Sequence, residues 1–95
     1  MKIWASEQVQ AWLRGLPPQT RAAVRAALRS LERGRAGEVD AVPLRRELEG
    51  FHRLRVGDYR IIYSHQPGPV LRLEFADIRE TVYETFRALR ALREG

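Results

Sequence analysis

The sequence has 95 residues, enough for one domain over residues 1–95 with a single modest core. Hydrophobic content of 44% and charged content of 31% exclude a disordered chain, no apolar run approaches the ~20 residues of a membrane span, and the lack of Cys excludes disulfides, thiolate nucleophiles and cysteine-ligated metal. A net charge of +5 favours an anionic partner, and the expected compartment is the cytoplasm.

Residues 1–5 read as a short edge strand closed by Ser6, an N-cap with Glu7 at the positive end of the following helix. In that helix Val9, Trp12, Leu13 and Leu16 fall on one stripe, and Pro17-Pro18 ends it, the second proline fitting the first turn of the next helix. The second helix runs to about Arg33, buries Val24, Ala27, Leu28 and Leu31, and stops at Gly34. Its Arg21, Arg25 and Arg29 recur every four residues, a spacing that fits a solvated outer face and also a ridge tracking phosphates. Residues 35–43 are polar and contain Gly, so they read as a loop, and residues 44–49 as one helical turn.

Residues 50–64, GFHRLRVGDYRIIYS, read as a β-hairpin about Gly57-Asp58, because a two-residue loop with Gly first suits the turns whose twist matches paired strands. The alternation of side chains then pairs Val56 with Tyr59, Arg55 with Arg60, Leu54 with Ile61, Arg53 with Ile62 and His52 with Tyr63. One face carries Leu54, Val56, Tyr59, Ile61 and Tyr63; the other gathers Arg53, Arg55 and Arg60. Like charges directly opposite each other destabilise a bare sheet, so the cluster suits a bound anion, unless it is a solvated face pinned by Glu74.

A turn at residues 65–69 leads to a strand over residues 70–77, with Leu71, Leu73 and Phe75 on one face and Arg72, Glu74 and Ala76 on the other. From residue 79 or 80 a last helix carries Val82, Tyr83, Phe86 and Leu89 toward the sheet. The order β-α-α-β-β-β-α predicts an α+β fold, with the helices on the apolar face of a mainly antiparallel sheet and the basic face left uncovered as a binding surface. His52 shares a strand face with Leu54 and Val56 and is expected to pack there, while His65 falls in the turn. With two His and no Cys, neither a metal nor a cofactor is expected.

Leu48-Glu49-Gly50, then Arg53-Leu54-Arg55-Val56-Gly57-Asp58-Tyr59-Arg60-Ile61-Ile62-Tyr63, then Arg79 followed by Val82-Tyr83, resemble the RelE/ParE toxin superfamily of bacterial and archaeal toxin–antitoxin systems, and the helical hairpin ahead of them matches in order. The resemblance implies a microbial RNase-like α+β fold and, for the RelE branch, cleavage of ribosome-bound mRNA without a metal. It puts Arg60, Arg53 and Tyr83 in catalytic roles and Arg79 on RNA phosphate, and Arg55, set beside them by the hairpin register, is expected to bind phosphate as well. It departs at Ile78, which stands where the motif has a histidine and cannot transfer a proton. For the ParE branch the resemblance implies a poison of DNA gyrase with no nuclease activity, and a noncatalytic binding module of the same fold is a third reading.

Such an RNase must take a proton from the 2′-OH, stabilise a phosphorane carrying extra negative charge and protonate the leaving 5′-oxygen. Arg53, Arg55 and Arg60 suit the second task, and Tyr83 suits the first only as a phenolate stabilised by nearby arginines. On a helix with this pattern a core tyrosine is the competing account of Tyr83. His52 or His65 could supply the missing acid if the chain folds back toward the arginines. The expected protein partner is an acidic antitoxin, which would lay an amphipathic helix in a groove or add a strand to the edge at residues 1–5.

Overall fold

The computed structural model describes residues 1–78 and 80–94, in the order Lys2–Ala5 (β1), Glu7–Arg14 (α1), Pro18–Glu32 (α2), Asp40–Pro43 (β2), Phe51–Val56 (β3), Tyr59–Gln66 (β4), Val70–Asp77 (β5) and Val82–Glu94 (α3). Single 3-10 turns occupy Ala36–Glu38 and Arg46–Leu48. The strands form one sheet in the order β1-β5-β4-β3-β2, antiparallel except where β1 runs parallel to β5. The fold is α+β, as expected.

Short polar side chains make the first joints. The Ser6 hydroxyl accepts from the Val9 amide at 3.2 Å, capping α1, and donates to the Glu74 carbonyl at 3.0 Å. Two residues on, the side-chain amide of Gln8 pairs with both backbone groups of Ala76, at 2.7 and 2.9 Å. Gln8 thus continues on β5 the ladder that β1 leaves at Ala5. At the other end of α1, Arg21 of α2 donates to the carbonyls of Leu13, Arg14 and Leu16, acceptors that a helix C-terminus leaves short of partners.

The hairpin has the register that alternation predicts, from His52 with Tyr63 to Val56 with Tyr59. Gly57 has φ +60° and Asp58 does not have positive φ, as a type II′ turn demands of its two central residues. On one side of the sheet Val9, Leu16, Val24, Leu28 and Leu31 of the helical hairpin pack on Leu54, Ile61, Tyr63, Leu71 and Leu73.

Besides the extension of β4 through His65 and Gln66, expected in the turn but paired with Leu71 and Val70, the chain departs from its sequence reading at four places. Residues 35–43 are not all loop, since Asp40–Pro43 pairs antiparallel with β3. That strand is four residues long, half-buried only at Ala41 and closed by proline, so it has no alternation to read; β3 creates it by pairing. The second departure is a bulge. Ile62 pairs with Phe75 but Tyr63 with Leu73, so Glu74 is an extra residue in β5 and the alternation reverses there. Leu71, Leu73 and Ala76 face α1 and α2, whereas Phe75 faces the other way.

The third departure follows from the bulge. Phe75 joins Ile62 and Phe51 to make an apolar patch on the face expected to be open, and α3 covers it with Val82 and Phe86. The Phe86 ring meets Phe51 edge-on at 5.1 Å and stacks on Phe75 at 6.3 Å. Helices therefore lie on both faces of the sheet. Lastly, α3 begins at Val82, and Leu89, expected to face the sheet, is 37% exposed. Among the described residues no helix is long and apolar enough to cross a membrane.

Candidate functional site

Arg53 and Arg55 of β3 and Arg60 of β4 lie on the α3 side of the sheet, opposite the helical hairpin. Their surroundings differ. Arg55 is exposed, with its Nε donating to the Gly57 carbonyl at 2.9 Å. Arg53 is largely covered; its Nη2 donates to Asp40 Oδ1 at 2.7 Å, while its buried Nε has no protein partner. Asp40 stands on β2 directly across from Arg55, so the missed strand supplies the counter-ion.

Arg60 corrects the expectation of an open basic face. Its side chain is only 9% exposed. One nitrogen, Nη1, donates to the Asp58 carbonyl at 2.9 Å and reaches the Ile78 carbonyl at 3.5 Å, and Nη2 lies 3.8 Å from Glu80 Oε1. Ile78 and Glu80, which follow β5 and precede α3, thus meet this guanidinium near the start of β4. Glu74, weighed as a pin for the arginines, instead accepts from Ser64 Oγ at 2.9 Å and pairs with Arg72 at 3.4 Å.

Tyr83 is half-buried in the first turn of α3, packed against the cluster of Leu48, Ile62, Phe75, Val82 and Phe86. Ile62 is the cross-strand partner of Arg53, so Tyr83 and the three arginines share one side of the sheet. Arg79 lies outside the described residues. Ile78 contributes its carbonyl to Arg60, and its side chain is 42% exposed.

The histidines sit elsewhere. His52 stacks on Tyr63 at 5.2 Å, and His65 meets both rings edge-on, on the α1 and α2 side of the sheet. They cannot donate a proton to an anion held by the arginines on the other side. Burial, and secondarily the neighbouring His65, lowers the His52 imidazole from its ordinary 6.5, and burial raises the Tyr63 phenol from 10.0.

Chemically, the site offers one exposed guanidinium and two whose carboxylate partners are themselves open to solvent. Asp40 is 52% exposed and Glu80 is 83% exposed, so an arriving phosphate can exchange with either. Both counter-ions escaped sequence reading, because an isolated acidic residue in a loop has no periodic signal.

The fold and this arginine-bearing hairpin define a small α+β domain suited to an anionic ligand. No protein-family model matches the sequence, and no curated protein does. Solved structures do. A chain of the RelBE2 toxin–antitoxin complex of Mycobacterium tuberculosis is 31% identical, with a TM-score of 0.67 over 82% of this chain and 96% of that one. A chain of the RelB-RelE antitoxin–toxin complex of Methanococcus jannaschii is 15% identical, with a TM-score of 0.68 over 86% and 96% of the two chains. The YoeB/ParE toxin of Agrobacterium tumefaciens is 19% identical, with a TM-score of 0.68 over 83% and 99%. The latter two speak for the fold alone. The chain belongs to the RelE/ParE toxin superfamily.

Proposed function

We propose that the protein is the toxin of a type II toxin–antitoxin system and cleaves mRNA on the ribosome without a metal. The observation that carries this reading is that Arg53, Arg55 and Arg60 share one side of a hairpin with Tyr83 on the helix above it. In this reading the exposed Arg55 meets the scissile phosphate first. Arg53 and Arg60 then exchange Asp40 and Glu80 for the phosphorane oxygens, where added charge makes their donors count most. A guanidinium does not act as a base at neutral pH, so the 2′-OH proton passes to Tyr83 as a phenolate held by the arginines. The 2′-oxygen bonds to phosphorus as the bond from phosphorus to the 5′-oxygen breaks, and the 5′-oxygen leaves with a proton from solvent water, Arg79 positioning the strand.

The protein partner in this reading is an acidic antitoxin. A net charge of +5 supports it, as does the 31% identity to a chain of a toxin–antitoxin complex. The outer edge of β1, which has β5 as its neighbour on one side only among the described residues, is a place for an antitoxin strand.

Two observations favour a second reading, a gyrase poison that cuts no RNA: Ile78 stands where the motif has its histidine, and Arg60 is nearly buried. Primer extension on mRNA from a translating extract tests both. Discrete cuts on ribosome-bound message are the expected result; loss of gyrase supercoiling with intact message would replace the first reading by the second.

A further inference from the structure

The arginines of α2 remain unused by the site. Arg25 and Arg29 are exposed on its outer face, with the half-buried Arg21 one turn before them and Arg33 just past its end, and a rise of about 1.5 Å per residue sets successive members about 6 Å apart. Arg35, Arg53, Arg60, Arg72 and Arg87 each lie within 3.9 Å of a carboxylate. Among the described residues Arg14, Arg25, Arg29 and Arg33 have none. Arg45, Arg46, Arg55 and Arg93 lack one too, but they are scattered, whereas those of the helical hairpin lie together on the other side of the sheet from the candidate site. Arg21 is fixed there by its bonds to the Leu13 and Arg14 carbonyls of α1 and the Leu16 carbonyl just beyond it, and a shallow groove lined by Gln10, Leu13, Arg14, Arg21 and Arg25 runs beside it.

We infer that this ridge is a second, sequence-independent contact for the sugar–phosphate backbone of base-paired RNA. A step of about 6 Å suits neighbouring phosphates along one strand, and each arginine presents a fork to phosphate oxygens. Repulsion along the ridge falls when phosphates intervene. A protein partner fits less well, because interfaces are anchored by large apolar side chains, and the exposed ones, Met1, Trp4, Val42, Ile78, Leu89 and Leu92, all lie off α1 and α2. Single-stranded RNA fits less well too, since its binders stack bases on exposed aromatic rings and α2 has no aromatic residue. The choice of RNA over DNA rests on the proposed function; the backbone chemistry does not.

The test is fluorescence anisotropy of a 20-base-pair RNA duplex, with a DNA duplex of the same sequence and a polyglutamate peptide as separate arms, across a salt series. The wild-type protein is compared with the Arg25→Ala/Arg29→Ala double variant. Both residues are exposed and unpaired, so the melting temperature should not fall. The variant should bind RNA about tenfold more weakly at low salt, and its slope of log K against log salt should be shallower by about 2, since each phosphate contact contributes about 0.9. Unchanged RNA affinity and slope would overturn the inference. So would a loss confined to the DNA or polyglutamate arm, or an equal loss in an Arg87→Ala/Arg93→Ala variant, which would reduce the ridge to net charge. Because nothing need be cut, failure of the nuclease reading leaves this result standing.

Discussion

Arg55 and Arg60 stand directly opposite each other across the hairpin, and each bends back onto the turn that joins their strands: Arg55 Nε donates to the Gly57 carbonyl and Arg60 Nη1 to the Asp58 carbonyl, both at 2.9 Å. Two like charges that should repel are thereby drawn to two acceptors at the tip, and the turn is held by side chains as well as by its strands. The pair has separate fates. Arg55 remains accessible, while Arg60 also reaches the Ile78 carbonyl and Glu80, tying the hairpin to the connection that launches α3.

Arg60→Ala is therefore expected to affect both toxicity and stability. Losing these bonds should cost about 1–3 kcal/mol, because the Asp58 and Ile78 carbonyls lose a charged donor. Arg60→Lys keeps the charge without the fork and should fall between. Growth arrest on induction, read beside chemical denaturation, separates the effects. If Arg60→Lys arrests growth fully at normal stability, Arg60 is not a phosphate donor of the forked kind.

Gly57→Ala should weaken the hairpin by about 1–2 kcal/mol, because at φ +60° an added Cβ crowds the backbone even though no neighbouring atom lies in its way. Gly57→Asn, which tolerates the left-handed region better, should cost less. Equal losses for the two, measured by urea denaturation, would mean that the turn relaxes to another geometry.

Tyr83→Phe keeps the ring against Ile62 and Phe86 and removes only a hydroxyl for which the described residues provide no hydrogen-bond partner. Stability should change by less than about 0.5 kcal/mol. Under the proposed function, cleavage should drop by a factor of ~10² or more. Full cleavage by this variant would assign Tyr83 to the core and leave the 2′-OH proton to another group.

Stability should decline with acid in a window set by His52. Its imidazole is lowered from 6.5 when folded, by burial first and by His65 second, so below that pH the unfolded chain takes up the proton more readily than the folded one. The His52 contribution is complete above 6.5 and is lost as the pH falls toward the folded value. His52→Phe, which preserves the stack on Tyr63, should flatten the melting temperature between pH 7.5 and 5. An undiminished slope in that variant would place the titrating group elsewhere.

What the sequence determined by itself was local. The hairpin register, the Ser6 cap and the helix boundary at Pro17-Pro18 each depend on a few neighbouring residues, so period, turn chemistry and capping sufficed to find them. The positions of Arg53, Arg55 and Arg60 on one side of the sheet follow from the same register. Tertiary structure decided the rest. One extra residue, Glu74, reverses β5 and sends Phe75 to the opposite face, and no alternation within the strand betrays it because the shift exists only against β4. That reversal makes the patch on which α3 lands, and Ile78 and Glu80 ahead of α3 meet the nearly buried Arg60. Asp40–Pro43 becomes a strand only because β3 has a free edge beside it, and with it Asp40 arrives at Arg53. Which arginine stays open to an anion was thus settled by contacts between residues distant in the chain, where sequence periodicity has no reach.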